Sequence, residues 1–106
     1  MKAICAALAT SLLLASTGAW AQEPSKKDVA EAKSLFKEGI GLYKNGKHAQ
    51  ALEMFKASYE LRPHWKLHLN IGLCYKELAM YTAAKDEFAA FIEEGGSKVN
   101  ADEKKQ

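Results

Sequence analysis

The chain has 106 residues, and its 15 Lys and Arg residues against 13 Asp and Glu residues give a formal net charge of +2. The two signs are interspersed as on solvated helix faces, so the chain shows no basic footprint for binding nucleic acid. A chain of this length is expected to form one domain, which buries only about 60–65% of its unfolded surface and is marginally stable.

Residues 1–21 have the pattern of a secretory signal peptide. Lys2 precedes a short apolar run, and Ala19-Trp20-Ala21 supplies the small residues of a cleavage site. We therefore expect cleavage after Ala21, a periplasmic or secreted location, and no membrane insertion after cleavage. The alternative is an uncleaved anchor, but the apolar run is shorter than the about twenty residues that span a bilayer.

A first helix is predicted to begin within a polar leader at residues 22–29. Ser25 can cap its N-terminus, and Asp28 falls in its first turn, where a carboxylate interacts favourably with the helix dipole. Apolar residues at steps of three and four continue the amphipathic pattern to about Lys44. Gly46 then supplies the positive φ that commonly ends a helix.

Three further helices are predicted, at residues 48–61, 65–78 and 81–94. Pro63 ends the first of these, because the residue before a proline is disfavoured in helical geometry. Gly95 and Gly96 end the last one. Between the predicted helices at residues 65–78 and 81–94, Ala79 and Met80 occupy the positions that correspond to the break after the first helix.

Several residues recur at a spacing of 33 and divide the helices into two similar halves. The recurring pairs are Lys33 and Lys66, Gly39 and Gly72, Ala51 and Ala84, Phe55 and Phe88, Ala57 and Ala90, and Glu60 and Glu93. A fixed period in the thirties is typical of a helical repeat. The glycines are expected to allow close helix approach, with the alanines facing them and the phenylalanines filling the space between layers.

This order of residues resembles the tetratricopeptide repeat. The first copy has Leu35-x-x-Glu38-Gly39-x-x-Leu42, Ala51-x-x-x-Phe55 and Pro63, and the second has His68-x-x-Ile71-Gly72-x-x-Tyr75 and Ala84-x-x-x-Phe88. The resemblance covers about residues 30–95. Three departures are the period of 33 instead of 34, Glu38 at an apolar position, and the missing proline in the second copy.

The resemblance implies an all-α fold of two antiparallel helix-turn-helix repeats, at residues 30–63 and 64–96, that form a short right-handed α-solenoid. Residues 97–106 would then hold the start of a third, capping helix, since Asn100 and Glu103 have the spacing of a capping box. This stub is either a weak cap or a sign that the chain is a fragment of a longer protein.

The sequence shows no arrangement typical of a catalytic, cofactor or metal site. His64 and His68 are four residues apart, but no third ligand is evident, so we interpret them as a helix-start residue and a packing residue. His48 is interpreted as an interhelix packing residue. Adjacent acidic pairs such as Asp86-Glu87 and Glu93-Glu94 are interpreted as exposed and do not face each other on a helix. An enzyme is therefore not expected.

Cys74 is the only cysteine after residue 21, so no internal disulfide is expected in the cleaved chain. We interpret it as a buried small side chain. Intermolecular pairing is the alternative.

The resemblance also implies that the first helix of each repeat lines a concave face that holds a partner. The residues placed there are Lys33, Phe36, Ile40, Tyr43, Lys66, Leu69, Asn70, Leu73 and Lys76. Some relatives grip a carboxylate with a Lys and two Asn residues. Only Asn70 matches that clamp, since Phe36 and Ile40 occupy the other two places, and the clamp is therefore not expected here.

What remains is an apolar strip fringed by lysines, formed by Phe36, Ile40, Tyr43, Leu69 and Leu73. The strip is either a binding site for an apolar segment with acidic edges or part of the core. We expect a protein or peptide partner and a role as a protein–protein interaction scaffold or adaptor in the bacterial cell envelope. The alternatives are a self-stacking structural subunit and an accessory repeat domain of a longer envelope protein.

Overall fold

The computed structural model describes residues 23–99, and all regular structure in that range is helical. The helices are α1 (Lys26–Lys44), α2 (His48–Leu61), α3 (Leu67–Glu77) and α4 (Tyr81–Gly95). A short helical segment begins at residue 97 and reaches the last described residue. The all-α prediction is confirmed, whereas the signal peptide at 1–21 and the capping box of Asn100 and Glu103 lie outside the described residues.

Helix α1 begins with the predicted cap. The Ser25 hydroxyl accepts a hydrogen bond from the Asp28 backbone N–H at 3.1 Å, and the Asp28 carboxylate accepts one from the Ser25 N–H at 3.1 Å. This reciprocal capping box satisfies two backbone donors that the helix leaves unpaired. At the other end Gly46 has the predicted positive φ of 77°.

Helices α1 and α2 form an antiparallel hairpin. The Ser58 hydroxyl donates to the Ala32 carbonyl at 2.8 Å, near the start of α1 and the end of α2. At the opposite end, the rings of Tyr43 and His48 lie 4.8 Å apart. The two helices therefore run in opposite directions, as expected for helices joined by a short turn.

Helices α3 and α4 form a second antiparallel hairpin. His68 on the first turn of α3 contacts Glu94 on the last turn of α4. Further along, a Cβ at Gly72 would come within 2.6 Å of the Phe88 ring, so the two helices cross closely at the predicted glycine. The first hairpin has the same close crossing at Gly39 and Phe55.

The two hairpins join through α2 and α3, and the core lies at this junction. Its buried members are Ala51, Leu52, Phe55, Leu67, Ile71 and Cys74. Half-buried residues pack around them, namely Ile40, Leu42, Tyr43, Tyr59, Tyr75 and Leu78. Two helical hairpins in succession agree with the predicted repeat arrangement, and the right-handed solenoid stays a prediction.

Helix α3 begins two residues later than predicted. The Leu67 N–H bonds to the His64 carbonyl and the His68 N–H to the Trp65 carbonyl, which are three-residue steps of a tight turn. The His64 ring also accepts a hydrogen bond from the Lys66 N–H at 3.2 Å. Residues 65 and 66 are therefore held in this turn instead of in the helix.

Candidate partner-binding surface

An apolar cleft opens where α1, the end of α2 and the start of α3 meet. It has a cavity volume of about 230 Å³. Its lining residues are Ala32, Lys33, Phe36, Ser58, Arg62, His64, Lys66 and Leu67. We call this feature the α1–α3 cleft.

The floor of the α1–α3 cleft is buried and mainly apolar. Ala32 and Leu67 are 4% and 5% exposed, and the buried Ser58 hydroxyl already donates to the Ala32 carbonyl. The floor therefore offers no unsatisfied polar group to a ligand. Phe36 forms a wall that is 36% exposed, and its ring lies 5.8 Å from the buried Phe55 ring, which supports it from behind.

The rim of the α1–α3 cleft is cationic. Lys33, Arg62 and Lys66 belong to its lining, and no acidic residue does. The Lys66 ammonium lies 5.4 Å from the centre of the Trp65 ring. The pKa of His64 is lowered from its ordinary value, first by burial and then by the nearby charges of Arg62 and of Lys66. The cleft thus favours an apolar group that carries negative charge at its edge.

The structure divides the predicted site residues into three groups. Lys33, Phe36 and Lys66 line the α1–α3 cleft. The second group is the rest of the apolar strip, namely Ile40, Tyr43, Leu69 and Leu73, and the third comprises the half-buried Asn70 and the exposed Lys76. Lys76 lies at another groove, beside α4.

The apolar strip is part surface and part core. Phe36 and Leu69 are more than one-third exposed. Ile40 and Tyr43 are half-buried and pack against the core cluster, and Leu73 is half-buried. Both interpretations of the strip therefore hold for some of its members, since Phe36 and Leu69 are exposed whereas Ile40, Tyr43 and Leu73 are half-buried.

Sequence reasoning missed five residues of the cleft, namely Ala32, Ser58, Arg62, His64 and Leu67. Two of them, Arg62 and His64, flank Pro63 in the connection between α2 and α3. A cation, a proline and a histidine between two predicted helices were a signal that this connection carries charge. Nothing in the sequence showed that α1 would lie close enough to this connection for both to line the same cleft.

His68 is held between two carboxylates. Its Nδ1 lies 2.6 Å from a Glu87 oxygen and its Nε2 lies 2.9 Å from a Glu94 oxygen. The ring also packs 5.0 Å from Tyr59 and the residue is buried. The predicted packing role is confirmed, but the prediction that Glu87 is exposed is wrong. Glu87 and Glu94 are seven residues apart on α4 and so share the face that meets α3.

The other candidates for chemistry are structural in the described part of the chain. No group of three or more His, Cys, Asp or Glu side chains within residues 23–99 is arranged to hold a metal ion. Cys74 is a free, fully buried thiol, as predicted, and burial raises its pKa to about 11. A thiol with that pKa is protonated at neutral pH and is a poor nucleophile. His48 packs against Tyr43, as expected.

Comparisons of the chain with protein-family models, with curated proteins and with solved structures found no match. Across residues 23–99, no helix is both long enough and apolar enough to cross a membrane. The α1–α3 cleft is therefore interpreted from its own lining residues and charges.

Proposed function

We propose that this chain is a helical-repeat adaptor that binds an acidic segment of a partner protein through an apolar anchor in the α1–α3 cleft. The observation that carries the proposal is the exposed Phe36 ring beside a buried, mainly apolar floor, with Lys33 and Arg62 at the rim. The resemblance to tetratricopeptide repeats supports it, because Lys33, Phe36 and Lys66 are among the residues expected to face a partner. The signal-peptide pattern supports a role in the bacterial cell envelope.

The size of the α1–α3 cleft favours a peptide side chain over a cofactor. Sites for small molecules commonly enclose about 300–1,000 Å³. The cleft has about 230 Å³ and is partly open. It therefore accommodates one or two apolar side chains of a segment that continues across the surface, with acidic neighbours meeting the cationic rim.

Self-stacking of identical chains is less well supported. In a head-to-tail stack, α1 of one copy would lie on α4 of the next, as α3 lies on α2. The buried Leu67, Ile71 and Cys74 of α3 correspond, at the spacing of 33, to three exposed positions of α1. Those positions are Ser34, Glu38 and Gly41. A polar or small side chain at each of them provides little apolar area for such a contact.

Selection of displayed random peptides on the parent chain tests the proposed function. Enriched peptides are expected to carry one large apolar residue flanked by Asp or Glu. Phe36→Ala should weaken their binding by about 5–30-fold, which corresponds to about 1–2 kcal/mol for an interface anchor. Arg62→Glu should also weaken binding and reduce its dependence on salt concentration.

Met80→Ala is the matched control, because Met80 is also an exposed apolar residue, at 49%, but lies outside the α1–α3 cleft. Circular dichroism melts should show that all three variants remain folded. Peptides that lack acidic residues, or that bind Phe36→Ala as tightly as the parent, would contradict the proposed function.

A further inference from the structure

Helices α2 and α4 hold equivalent positions in the two hairpins, but within residues 23–99 only α2 is covered by a following long helix. Phe55 and Leu52 on α2 are 1% and 7% exposed, because α3 packs over them. The corresponding residues on α4, at the spacing of 33, are Phe88, which is half-buried, and Lys85, which is exposed. One face of α4 is thus open where its counterpart on α2 is closed.

We call this open face the α4 outer face. Its members are Tyr81, Ala84, Lys85, Phe88, Ala89 and Ile92, with Lys76 of α3 at the edge, and together they line a shallow groove of about 500 Å³. Tyr81 and Ile92 are 67% and 63% exposed, which makes them the most exposed large apolar residues in the described part of the chain. A contiguous apolar surface of this kind is typical of an interaction site.

Residues 100–106 are poorly suited to cover the α4 outer face. Asn100 and Lys104 correspond to the buried Leu67 and Ile71 of α3, and residues 100–106 contain one apolar side chain, Ala101. A helix with those residues would bring polar groups onto an apolar groove, which is unfavourable without partners for them.

A second copy of the chain is also poorly suited. Two α4 outer faces in contact would bring Lys76 and Lys85 of both copies together, and no acidic residue lines the groove. Like charges at an interface suppress association. An occupant with acidic side chains is favoured instead.

We propose that the α4 outer face binds an amphipathic helix of a partner protein, which lies on α4 as α3 lies on α2. The contact between α2 and α3 shows what such a helix carries. It has large apolar residues at the positions of Leu67 and Ile71 and a small one at the position of Cys74. It also carries acidic residues at its edge, because α4 has Lys85 where α2 has the apolar Leu52.

This surface is separate from the α1–α3 cleft. The two share no lining residue. The α4 outer face also selects a helix with an apolar stripe at steps of four and three, whereas the smaller cleft accepts one or two apolar side chains. The inference therefore holds or fails independently of the proposed function.

A synthetic helical peptide of 15 residues tests the inference by fluorescence anisotropy. The peptide carries Leu, Ile and Ala at the spacing of Leu67, Ile71 and Cys74, with Glu residues beside this stripe. A matched peptide carries Lys in place of each Glu. The parent chain is expected to bind the Glu peptide at least tenfold more tightly than the Lys peptide, because Lys76 and Lys85 repel the latter.

Protein variants locate the bound peptide. Ile92→Ser should weaken binding of the Glu peptide at least tenfold, and Lys85→Glu should reverse the preference between the two peptides. Met80→Ser is the matched control, since Met80 is 49% exposed and does not line the groove, and it should bind like the parent. Circular dichroism melts check that each variant is folded.

Three outcomes would overturn the inference. One is that the parent binds neither peptide. Another is that Phe36→Ala abolishes binding while Ile92→Ser does not, which would place the peptide in the α1–α3 cleft and leave the proposed function intact. The third is concentration-dependent self-association in analytical ultracentrifugation that Ile92→Ser abolishes, which would show that a second copy covers the α4 outer face.

Discussion

At the scale of single residues, each hairpin has a glycine packed against a phenylalanine ring, but the two rings differ in how tightly they are enclosed. A Cβ at Gly39 would come within 2.7 Å of the Phe55 ring, and one at Gly72 within 2.6 Å of the Phe88 ring. Phe55 is 1% exposed and enclosed by the core, whereas Phe88 is half-buried beside the open face of α4. Only Phe88 has room to move.

Gly39→Ala is therefore expected to destabilise the fold by about 1–3 kcal/mol, the usual range for overpacking, because the Phe55 ring cannot yield. Gly72→Ala should destabilise the fold by less, because the half-buried Phe88 ring has room to move. Gly41→Ala is the matched control on the same helix, since a Cβ there meets no atom within 4 Å. It should stabilise the fold by about 0.5–1 kcal/mol through higher helix propensity. Urea unfolding measures all three, and a Gly39→Ala variant as stable as Gly41→Ala would contradict this account.

The sequence predicted these glycine crossings but not their exact partners. The repeat pattern indicated that Ala51 and Ala84 would face the glycines, whereas the rings of Phe55 and Phe88 lie directly against them. A repeat period places a residue on a helix face, but the direction of a long side chain depends on its rotamer. The contact of His68 with two carboxylates was missed for a similar reason.

At the scale of elements, the turns after α1 and α3 are the same motif built on different residues. The Gly46 N–H bonds to the Tyr43 carbonyl at 3.0 Å, and the Ala79 N–H bonds to the Lys76 carbonyl at 3.0 Å. Both residues have positive φ, 77° for Gly46 and 59° for Ala79. Glycine adopts this conformation freely, but an alanine side chain is strained in it.

Ala79→Gly is expected to stabilise the fold by about 1 kcal/mol, because it removes that strain at an exposed position. Gly46→Ala should destabilise it by a similar amount, and a Cβ there meets no atom within 4 Å, so the cost comes from the backbone alone. Thermal unfolding of both variants checks the pair. Changes of the same sign in the two variants would show that the turns are not equivalent.

The boundaries of the helices could be predicted well where a local signal marks them. The Ser25 cap, the Gly46 turn and the bounds of α2 were predicted from sequence and are confirmed. The start of α3 was missed, because the turn at residues 64–66 uses a histidine side chain and three-residue steps that leave no distinct pattern.

The candidate site could be predicted only in part, because burial along one helix face depends on where a distant helix lies. Phe36, Ile40 and Tyr43 recur at steps of four and three on α1 and so share a face. Tyr43 and Ile40 pack against the core, and Phe36 stays 36% exposed. The position of α3 decides this difference, and periodicity within α1 carries no information about it.

At the scale of the whole molecule, stability depends on the junction between the two hairpins. Each hairpin contributes one helix to it, and the core cluster contains residues from both α2 and α3. In repeat structures, total stability is approximately the sum of the stability of each unit and of the contacts between neighbours. Since neither hairpin is large, loss of the junction should affect the folding of both.

Leu67→Ala and Leu69→Ala provide the test, because the two leucines lie two residues apart on α3 but face different surroundings. Leu67 is 5% exposed in the junction, and Leu69 is 37% exposed outside it. Leu67→Ala is expected to lower the free energy of unfolding by about 2–5 kcal/mol through lost burial and the cavity left behind. Leu69→Ala should lower the free energy of unfolding by less than about 1 kcal/mol. The change in helix propensity is the same in both variants, but Leu69 has less buried surface to lose. Urea unfolding followed by circular dichroism measures both, and equal losses would show that the junction does not hold the two hairpins together.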